Sequence, residues 1–368
     1  MSRRRLRSLE EFMRATACLV AVAIGFAAAA HAEDLPFWPA VQATCTATAA
    51  TPSGALGQRI AQAARAEFDA FGGHRIDAGG RLIHFGLTEA ESRREDRANG
   101  REARLDSLGW WRVLAYWRAL YGVAAGGLGD ELEVRGYRGA ADSQDAAQIA
   151  ERLRVDIGPL LKAADGIADP AQREAMREAI IRAAIVDTPW SAAFISYVMR
   201  QAGATATGFA FSNAHRVYID DAFATSAAEV AHKTDARIYR ACPLATTRPR
   251  VGDMICLERE PSLAKLSAAA VRERIRQEVA AGARTLQRTH CEVVARIDAP
   301  ARKIYTIGGN VLNAVTARKM NLTRDMKLSP VQSGRCGGAG AWTLAEPGAA
   351  PENCALNDQK WFVLLQLR

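Results

Sequence analysis

Apolar residues in the first half of the chain recur at the spacing of amphipathic helices. One such run covers residues 55–71 and stops at a Gly-Gly pair, and a Trp-rich run follows over residues 110–121. The same periodicity predicts helices over residues 144–164 and 171–184, which an Asp-Pro pair separates. We interpret the aromatic stripe of the Trp-rich helix as a face packed on the core, because large aromatic rings bury much apolar surface.

Beyond residue 243 the pattern changes to short apolar runs that are typical of strands. A charged, Ala-rich segment over residues 263–281 interrupts them and indicates an inserted surface helix. The predicted strands cover residues 254–257, 291–297, 303–307, 315–318 and 361–367. Helices first and strands second predict an α+β fold with an antiparallel sheet.

The first 32 residues have the features of a secretory signal peptide. Four arginines precede residue 8, an apolar run covers residues 15–30, and Ala30-His31-Ala32 supplies an A-x-A cleavage site. The apolar run is shorter than the ~20 residues that a spanning helix needs. We therefore expect cleavage, export to the periplasm or cell surface, and no membrane span in the remaining chain.

Composition and charge narrow the function classes. With 49% hydrophobic and 24% charged residues among 368, the sequence is typical of a globular protein and not of a disordered or fibrous one. The net charge of +8 falls to +5 once the +3 of residues 1–32 is removed, and basic residues alternate with acidic ones. Nucleic-acid binding is therefore not expected. The sequence has neither zinc-ligand spacing nor a phosphate-binding glycine motif between a strand and a helix, so we expect no metal and no cofactor.

Six cysteines remain after the predicted signal peptide, an even number that suits an oxidising compartment. Cys256 and Cys291 fall on the first two predicted strands, where either a cross-strand disulfide or two buried thiols would fit. Cys336 and Cys354 bracket most of a Gly-rich excursion, and we expect a disulfide between them.

The most informative segment for chemistry is a helix predicted over residues 188–203. Thr188 can cap this helix, Pro189 suits its first position, and Gly203 ends it. Ser191 then lies in the first turn, where backbone N–H groups are unpaired and the helix dipole is positive. Both features stabilise a developing anion, so this position favours a nucleophile.

The segment from Trp190 resembles the W-C-A-A-F-V signature of papain-like cell-wall hydrolases, the NlpC-type endopeptidases and CHAP amidases, with Ser191 in place of the nucleophilic cysteine. Three further matches follow in the same order. Residues 248–255 resemble the P-x-x-G-D turn into the first strand of that fold, and His290 opens a segment similar to the strand of the catalytic histidine. Asn310 closes a G-G-N segment that resembles the one with the orienting asparagine.

A closer resemblance covers more of the chain. Residues 189–196, with Ser212, His215, Tyr218 and the pair His290-Cys291, resemble the bacterial domain-of-unknown-function family 2272. Serine is the usual residue at the nucleophile position of that family, so the resemblance implies that Ser191 is not an isolated loss. The family name itself implies no reaction.

These resemblances imply a papain-like α+β domain of the NlpC/CHAP type over residues 180–368, in which a helix packs on an antiparallel sheet. A helical region over residues 33–179 precedes it. They assign Ser191 as the nucleophile, His290 as the general base and Asn310 as the residue that orients the base.

Three more residues are expected beside this site as substrate-binding groups. Trp190 would form a pocket wall. His215, one helical turn from Tyr218, is a rival base whose alternative role is structural. Glu292 would share the strand face of His290 and hold it by a hydrogen bond, unless it is an exposed carboxylate.

The resemblance implies an exported hydrolase of the peptidase or amidase type that acts on peptidoglycan peptides or their amide links. The alternative is a papain-like domain that binds a cell-wall or protein ligand without turnover. A helix N-terminus ionises a cysteine thiol readily, whereas a serine hydroxyl must lose its proton during attack. The residues alone therefore leave both functions open.

Overall fold

The computed structural model describes residues 37–90, 108–121, 131–138, 152–283, 288–332 and 355–368. The predicted signal peptide and the predicted Cys336–Cys354 disulfide lie outside these residues. Within them the chain forms an α+β fold, as the order of the sequence patterns predicted. None of the helices in the described ranges is long and apolar enough to cross a membrane.

Eight α-helices occur in the described ranges. They are α1 (Phe37–Ala49), α2 (Ala55–Ala70), α3 (Gly109–Tyr121), α4 (Ile157–Asp165), α5 (Pro170–Asp187), α6 (Ser191–Gln201), α7 (His215–Val230) and α8 (Ala268–Ala280). The predicted helices over residues 55–71 and 171–184 are confirmed as α2 and α5. The Trp-rich stripe of α3 is buried in the main core, also as predicted.

The described strands form one large sheet and one separate hairpin. They are β1 (His74–Ile76), β2 (Leu82–His84), β3 (Glu133–Tyr137), β4 (Arg152–Asp156), β5 (Tyr239–Pro243), β6 (Met254–Glu258), β7 (Thr289–Asp298), β8 (Lys303–Val311), β9 (Ala314–Asn321) and β10 (Trp361–Leu367). The large sheet has the order β2-β1-β9-β8-β7-β6-β10-β5, and β3 pairs with β4. All five predicted strands are therefore present, and each lies within the large sheet.

The prediction of a purely antiparallel sheet is wrong at one edge, where β1 runs parallel to β9. Strands β1 and β2 have three residues each, too few for an alternating pattern to be recognised. The helix predicted over residues 144–164 is also wrong in part, because residues 152–156 form β4. Arg154 of β4 contacts Glu133 of β3 with 2.6 Å between Nη2 and Oε1, so pairing with β3 prevails there over helical periodicity.

Helix α6 is buried against β7 and β8 on one side and against α3 on another. Gly309 of β8 makes this close approach possible. A Cβ atom at that position would lie 2.5 Å from Cβ of Phe194 and 2.9 Å from Cζ3 of Trp190, which is closer than carbon atoms pack. A glycine on the strand therefore lets the first turn of α6 lie directly on the sheet.

Within the described residues, two disulfides join elements that are separated along the chain. Cys45 of α1 is bonded to Cys242 of β5, and Cys256 of β6 is bonded to Cys291 of β7. The second is the cross-strand bridge that the sequence allowed as one of two alternatives. The first was not predicted, because nothing in the sequence placed α1 beside β5.

Loss of the Cys45–Cys242 disulfide should destabilise the protein more than loss of the Cys256–Cys291 disulfide. The two bridges join residues separated by 197 and 35 positions, and the entropy removed from the unfolded chain grows with loop length. Replacing both cysteines by alanine should lower the free energy of unfolding by up to about 5 kcal/mol for the long loop and about 4 kcal/mol for the short one. Urea unfolding of both double variants measures this, and an unchanged midpoint for the Cys45/Cys242 variant would contradict it.

Candidate active site

Ser191 is the first residue of α6, and Trp190 before it has a non-helical backbone. The prediction that Thr188 caps this helix is wrong. Thr188 directly follows α5, and its hydroxyl oxygen accepts the backbone N–H of Glu133 at 3.1 Å. Ser191 is partly exposed, and the first N–H groups of an α-helix have no partners within the helix. Its hydroxyl therefore lies at the positive end of a largely buried helix.

His215 is placed beside Ser191 by a loop that is fastened to α6. The Ser196 hydroxyl donates to the carbonyl of Ser212 at 2.8 Å and accepts the N–H of Ser212 at 3.0 Å. Helix α7 begins three residues later, at His215, whose Nε2 lies 2.7 Å from Oγ of Ser191. The two helix starts thus bring a serine hydroxyl and an imidazole within hydrogen-bond distance.

The other ring nitrogen of His215, Nδ1, contacts the hydroxyl of Tyr218 one turn along α7. Two tautomers satisfy both contacts. If Nδ1–H donates to the Tyr218 oxygen, Nε2 accepts from the Ser191 hydroxyl; if the Tyr218 hydroxyl donates, Nε2–H donates to Ser191. Only the first tautomer can take a proton from Ser191. Burial raises the pKa of Tyr218 well above its usual range, so the phenol itself stays neutral.

His290 lies beside His215, with 5.0 Å between the two ring centroids. It is fully buried, and neither of its ring nitrogens has a hydrogen-bond partner among the described residues. Its Nε2 is 3.4 Å from Oε1 of Glu292, a close contact that lacks hydrogen-bond geometry. The hydrogen bond to Ser191 therefore comes from His215, the rival base, and His290 is the neighbour of that pair.

Glu292 is fully buried, so the alternative of an exposed strand carboxylate is wrong. Its oxygens accept hydrogen bonds from Oγ1 of Thr306 at 2.6 Å and from Nε of Arg318 at 2.7 Å. Burial alone would raise its pKa, but Arg318, His290 and Thr306 together lower the pKa of Glu292 to about 2. Glu292 is an anion fixed next to His290, and it has no surface open to a ligand.

Burial is the main cause that lowers the pKa of both histidines. For His215, His290 and Arg259 lower it further, so the pKa lies well below the usual 6.5. For His290, burial outweighs the opposing effect of Glu292 on its pKa. Both rings are therefore neutral near pH 7, which is the state in which a histidine can accept a proton.

The Gly-Gly-Asn segment lies at the end of β8. A Cβ atom on Gly308 would lie 2.9 Å from Nε2 of His290 and 2.8 Å from Cγ of Glu292, so a glycine is needed for the strand to pass these side chains. Asn310 has a φ of 53° within the bulge that precedes the turn to β9. Among the described residues, no hydrogen bond joins its side chain to His215 or His290. Its role as the orienting residue stays a prediction.

Trp190 is fully buried directly before the first turn of α6. Its ring stacks on Phe71 with 5.9 Å between centroids, and its Nε1–H donates to Oε2 of Glu89 at 2.7 Å. Burial raises the pKa of Glu89 to about 7, although this hydrogen bond acts in the opposite direction. Trp190 therefore packs in the core next to Ser191, and the structure does not expose it as the pocket wall that the sequence predicted.

Four of the six predicted site residues form a connected row, in the order Ser191, His215, His290 and Glu292. The sequence missed two residues that position the row, Ser196 and Arg318. The available signals were a serine within the buried stripe of α6 and a single arginine among buried positions of β9. Within the part of the chain that the structure describes, no three His, Cys, Asp or Glu side chains are grouped as metal ligands.

A cavity of about 500 Å³ lies elsewhere, at the β1–β2 edge of the sheet. Its lining includes Arg75, Asp77, Tyr305 and Lys319, and none of the residues in the row contributes to it. Thr306 and Arg318 both contact Glu292, and Tyr305 and Lys319 are their direct neighbours in sequence. Because side chains alternate along a strand, Tyr305 and Lys319 project from the opposite face of the sheet. The cavity is therefore separate from the candidate site.

Comparison with known proteins identifies a family but no characterised relative. Residues 162–367, more than half of the chain, match the model of DUF2272, described as "Uncharacterized protein conserved in bacteria". No curated protein and no solved structure matches the chain, so the papain-like architecture stays a prediction. The matched region begins within α4 and contains every residue of the row from Ser191 to Glu292. The chain therefore belongs to the DUF2272 family.

Proposed function

We propose that this chain is a hydrolase of peptide or amide bonds, with Ser191 as the nucleophile and His215 as the general base. The observation that carries the proposal is the 2.7 Å contact between Oγ of Ser191 and Nε2 of His215 at the positive end of α6. The resemblance to NlpC-type hydrolases assigned the base to His290 instead. A base must reach the proton that it removes, and this requirement favours His215.

In the proposed reaction, Oγ of Ser191 attacks the carbonyl carbon of the scissile bond while its proton passes to Nε2 of His215. The first N–H groups of α6 donate to the carbonyl oxygen as it becomes negative. The tetrahedral intermediate then collapses, the C–N bond breaks, and the amine leaves with the proton from Nε2. A water molecule, deprotonated by the same nitrogen, hydrolyses the acyl-enzyme and regenerates Ser191.

The proposed location is the cell envelope. Residues 1–32 support it because they resemble a signal peptide. The two disulfides also support it, since such bonds persist in oxidising compartments outside the cytosol. Together with the resemblance to cell-wall hydrolases, these features favour peptidoglycan stem peptides or their amide links as the substrate class.

A second candidate is a domain that binds the same class of ligand without turnover. In its favour, Nδ1 of His215 contacts the neutral phenol of Tyr218, where serine hydrolase triads have a carboxylate. The carboxylate of the row, Glu292, contacts His290 instead. A histidine whose pKa is lowered is also a weaker proton acceptor, which would slow the attack step.

Covalent labelling of the purified protein separates the two candidates. A serine-directed phosphonate should modify a hydrolase once, and Ser191→Ala should abolish the adduct as measured by intact mass. Ser191→Ala leaves the buried Nε2 of His215 without its partner and should lower the free energy of unfolding by about 1–3 kcal/mol, so circular dichroism checks that the variant is folded. An unlabelled wild-type protein, together with a Ser191→Cys variant that is inert toward peptidoglycan fragments, would contradict the hydrolase and favour the binding domain.

A further inference from the structure

Two arginines lie opposite each other at the end of the β6–β7 pair. Leu257 pairs with His290, and two residues further the N–H of Arg259 donates to the carbonyl of Arg288 at 2.7 Å. Side chains alternate between the two faces of a sheet, so Arg259 and Arg288 project from the face that carries His290. Both are exposed, whereas His290 is buried. The two arginines therefore lie at the exposed end of the strand pair, two positions beyond the Leu257–His290 pair.

This arrangement is unfavourable for the fold alone. Like charges directly opposite each other on neighbouring strands destabilise the pairing. Neither guanidinium forms a salt bridge or a side-chain hydrogen bond within the described ranges. On the same strands, by contrast, Arg296 pairs with Asp298 at 3.2 Å. The Arg259–Arg288 pair thus keeps its hydrogen-bond donors available for an anion from outside the chain.

The charge of Arg259 reaches the candidate active site. It contributes to the lowered pKa of both His215 and His290, after the larger effect of burial. It also interacts with Glu292 at the inner end of the row. Because Coulombic effects weaken with distance, Arg259 lies near His215, whose Nε2 contacts Ser191.

We propose that Arg259 and Arg288 form a subsite for a carboxylate of the substrate, beside Ser191. The identity of the anion rests on the proposed function, since a peptide or amide substrate offers carboxylates as its anionic groups. Planar guanidinium groups donate paired N–H bonds to a carboxylate, and two of them side by side match one such group. The substrate class is thereby narrowed to acidic peptides that carry a free carboxylate near the scissile bond.

Calorimetric titration of the protein with small acids tests this subsite without any need for turnover. Glutarate should bind more tightly than the neutral glutaramide, and its affinity should fall as the salt concentration rises. Arg259→Ala should weaken glutarate binding by about tenfold, Arg259→Lys should weaken it less, and Arg259→Ala with Arg288→Ala should remove it. Arg324→Ala is the matched control, because it also removes one exposed arginine. Arg324 follows the end of β9, which pairs with the start of β8.

A separate readout excludes a merely structural role. Removal of Arg288 relieves a cross-strand repulsion, so Arg288→Ala should unfold at the same temperature as the wild type or higher. Equal binding of glutarate and glutaramide, or glutarate binding that survives the double substitution, would overturn the subsite. Tighter binding of inorganic phosphate than of glutarate would overturn its assignment to a carboxylate.

The outcomes for the subsite and for the hydrolase are distinguishable. If the phosphonate fails to label Ser191 but glutarate binding requires both arginines, the subsite stands in a binding domain. If Ser191 is labelled but glutarate binding does not depend on the arginines, the hydrolase stands and the subsite is wrong.

Discussion

Replacement of His215 by alanine is expected to slow phosphonate labelling of Ser191 by about 10²- to 10⁴-fold, the contribution of a positioned general base. Replacement of His290 should have a much smaller effect, because no hydrogen bond joins it to Ser191. Labelling rates followed by intact mass compare the two variants, with circular dichroism as the check on folding. Tyr218→Phe removes only the hydroxyl beside Nδ1 of His215 and should give an intermediate loss. A larger loss for the His290 variant than for the His215 variant would return the base role to His290.

The pH dependence of the same reaction gives a second test. The pKa of His215 in the folded protein lies well below 6.5, so its neutral form persists as the pH falls through 6.5. The labelling rate of the wild type should therefore stay flat down to this pH and decline only below it. A rate that is half lost at pH 6.5 would mean that the base is a solvated histidine and not the buried His215.

Arg318→Met is expected to lower the free energy of unfolding by about 3–5 kcal/mol, the cost of leaving a buried charge without its partner. Nε of Arg318 donates to Glu292, and both side chains are buried. Urea unfolding at neutral pH measures the loss. The matched control is Glu292→Gln combined with Arg318→Met, which removes both charges and should recover most of the stability.

The charged state of Glu292 also sets an acid limit. Its pKa is lowered from 4.5 to about 2 on folding, so its stabilising contribution is complete above pH 4.5 and is lost as the pH falls from 4.5 toward 2. Wild-type protein should lose stability in this window, and the doubly substituted control should lack that part of the loss. His215, whose pKa is also lowered on folding, contributes stability above pH 6.5 that is lost as the pH falls below 6.5.

An Arg318→Met variant as stable as the wild type would show that Arg318 does not hold the charge of Glu292.

The elements that the sequence predicted well have a pattern of apolar residues that continues over their whole length. β10 was expected at residues 361–367 and is observed there, because all seven of its residues are buried and all but Gln366 are apolar. β1 and β2 escaped prediction because they are short and because β1, with which β2 pairs, joins the sheet through β9, more than 200 residues away along the chain. Contacts of such long range leave no periodic trace in either segment.

The residue types of the site were also predictable, but the choice between two histidines was not. The start of a helix predicts the position of Ser191. His215 is the first residue of α7, and His290 is the second residue of β7. What places His215 on Ser191 is the pair of hydrogen bonds between Ser196 and Ser212, which joins a helix to a loop. That contact depends on how α6 and α7 approach in space, and no local pattern specifies it.

The position of β10 also matters for how the chain is made. It lies inside the sheet between β6 and β5, although it is the last described strand in sequence order. Leu367 donates its N–H at 2.8 Å to Asp253, the residue before β6, so the final strand also fastens the turn that leads into the sheet. During synthesis, the edges of β5 and β6 that pair with β10 therefore stay unpaired until residues 361–367 have been made, and unpaired edges are prone to pair with other chains.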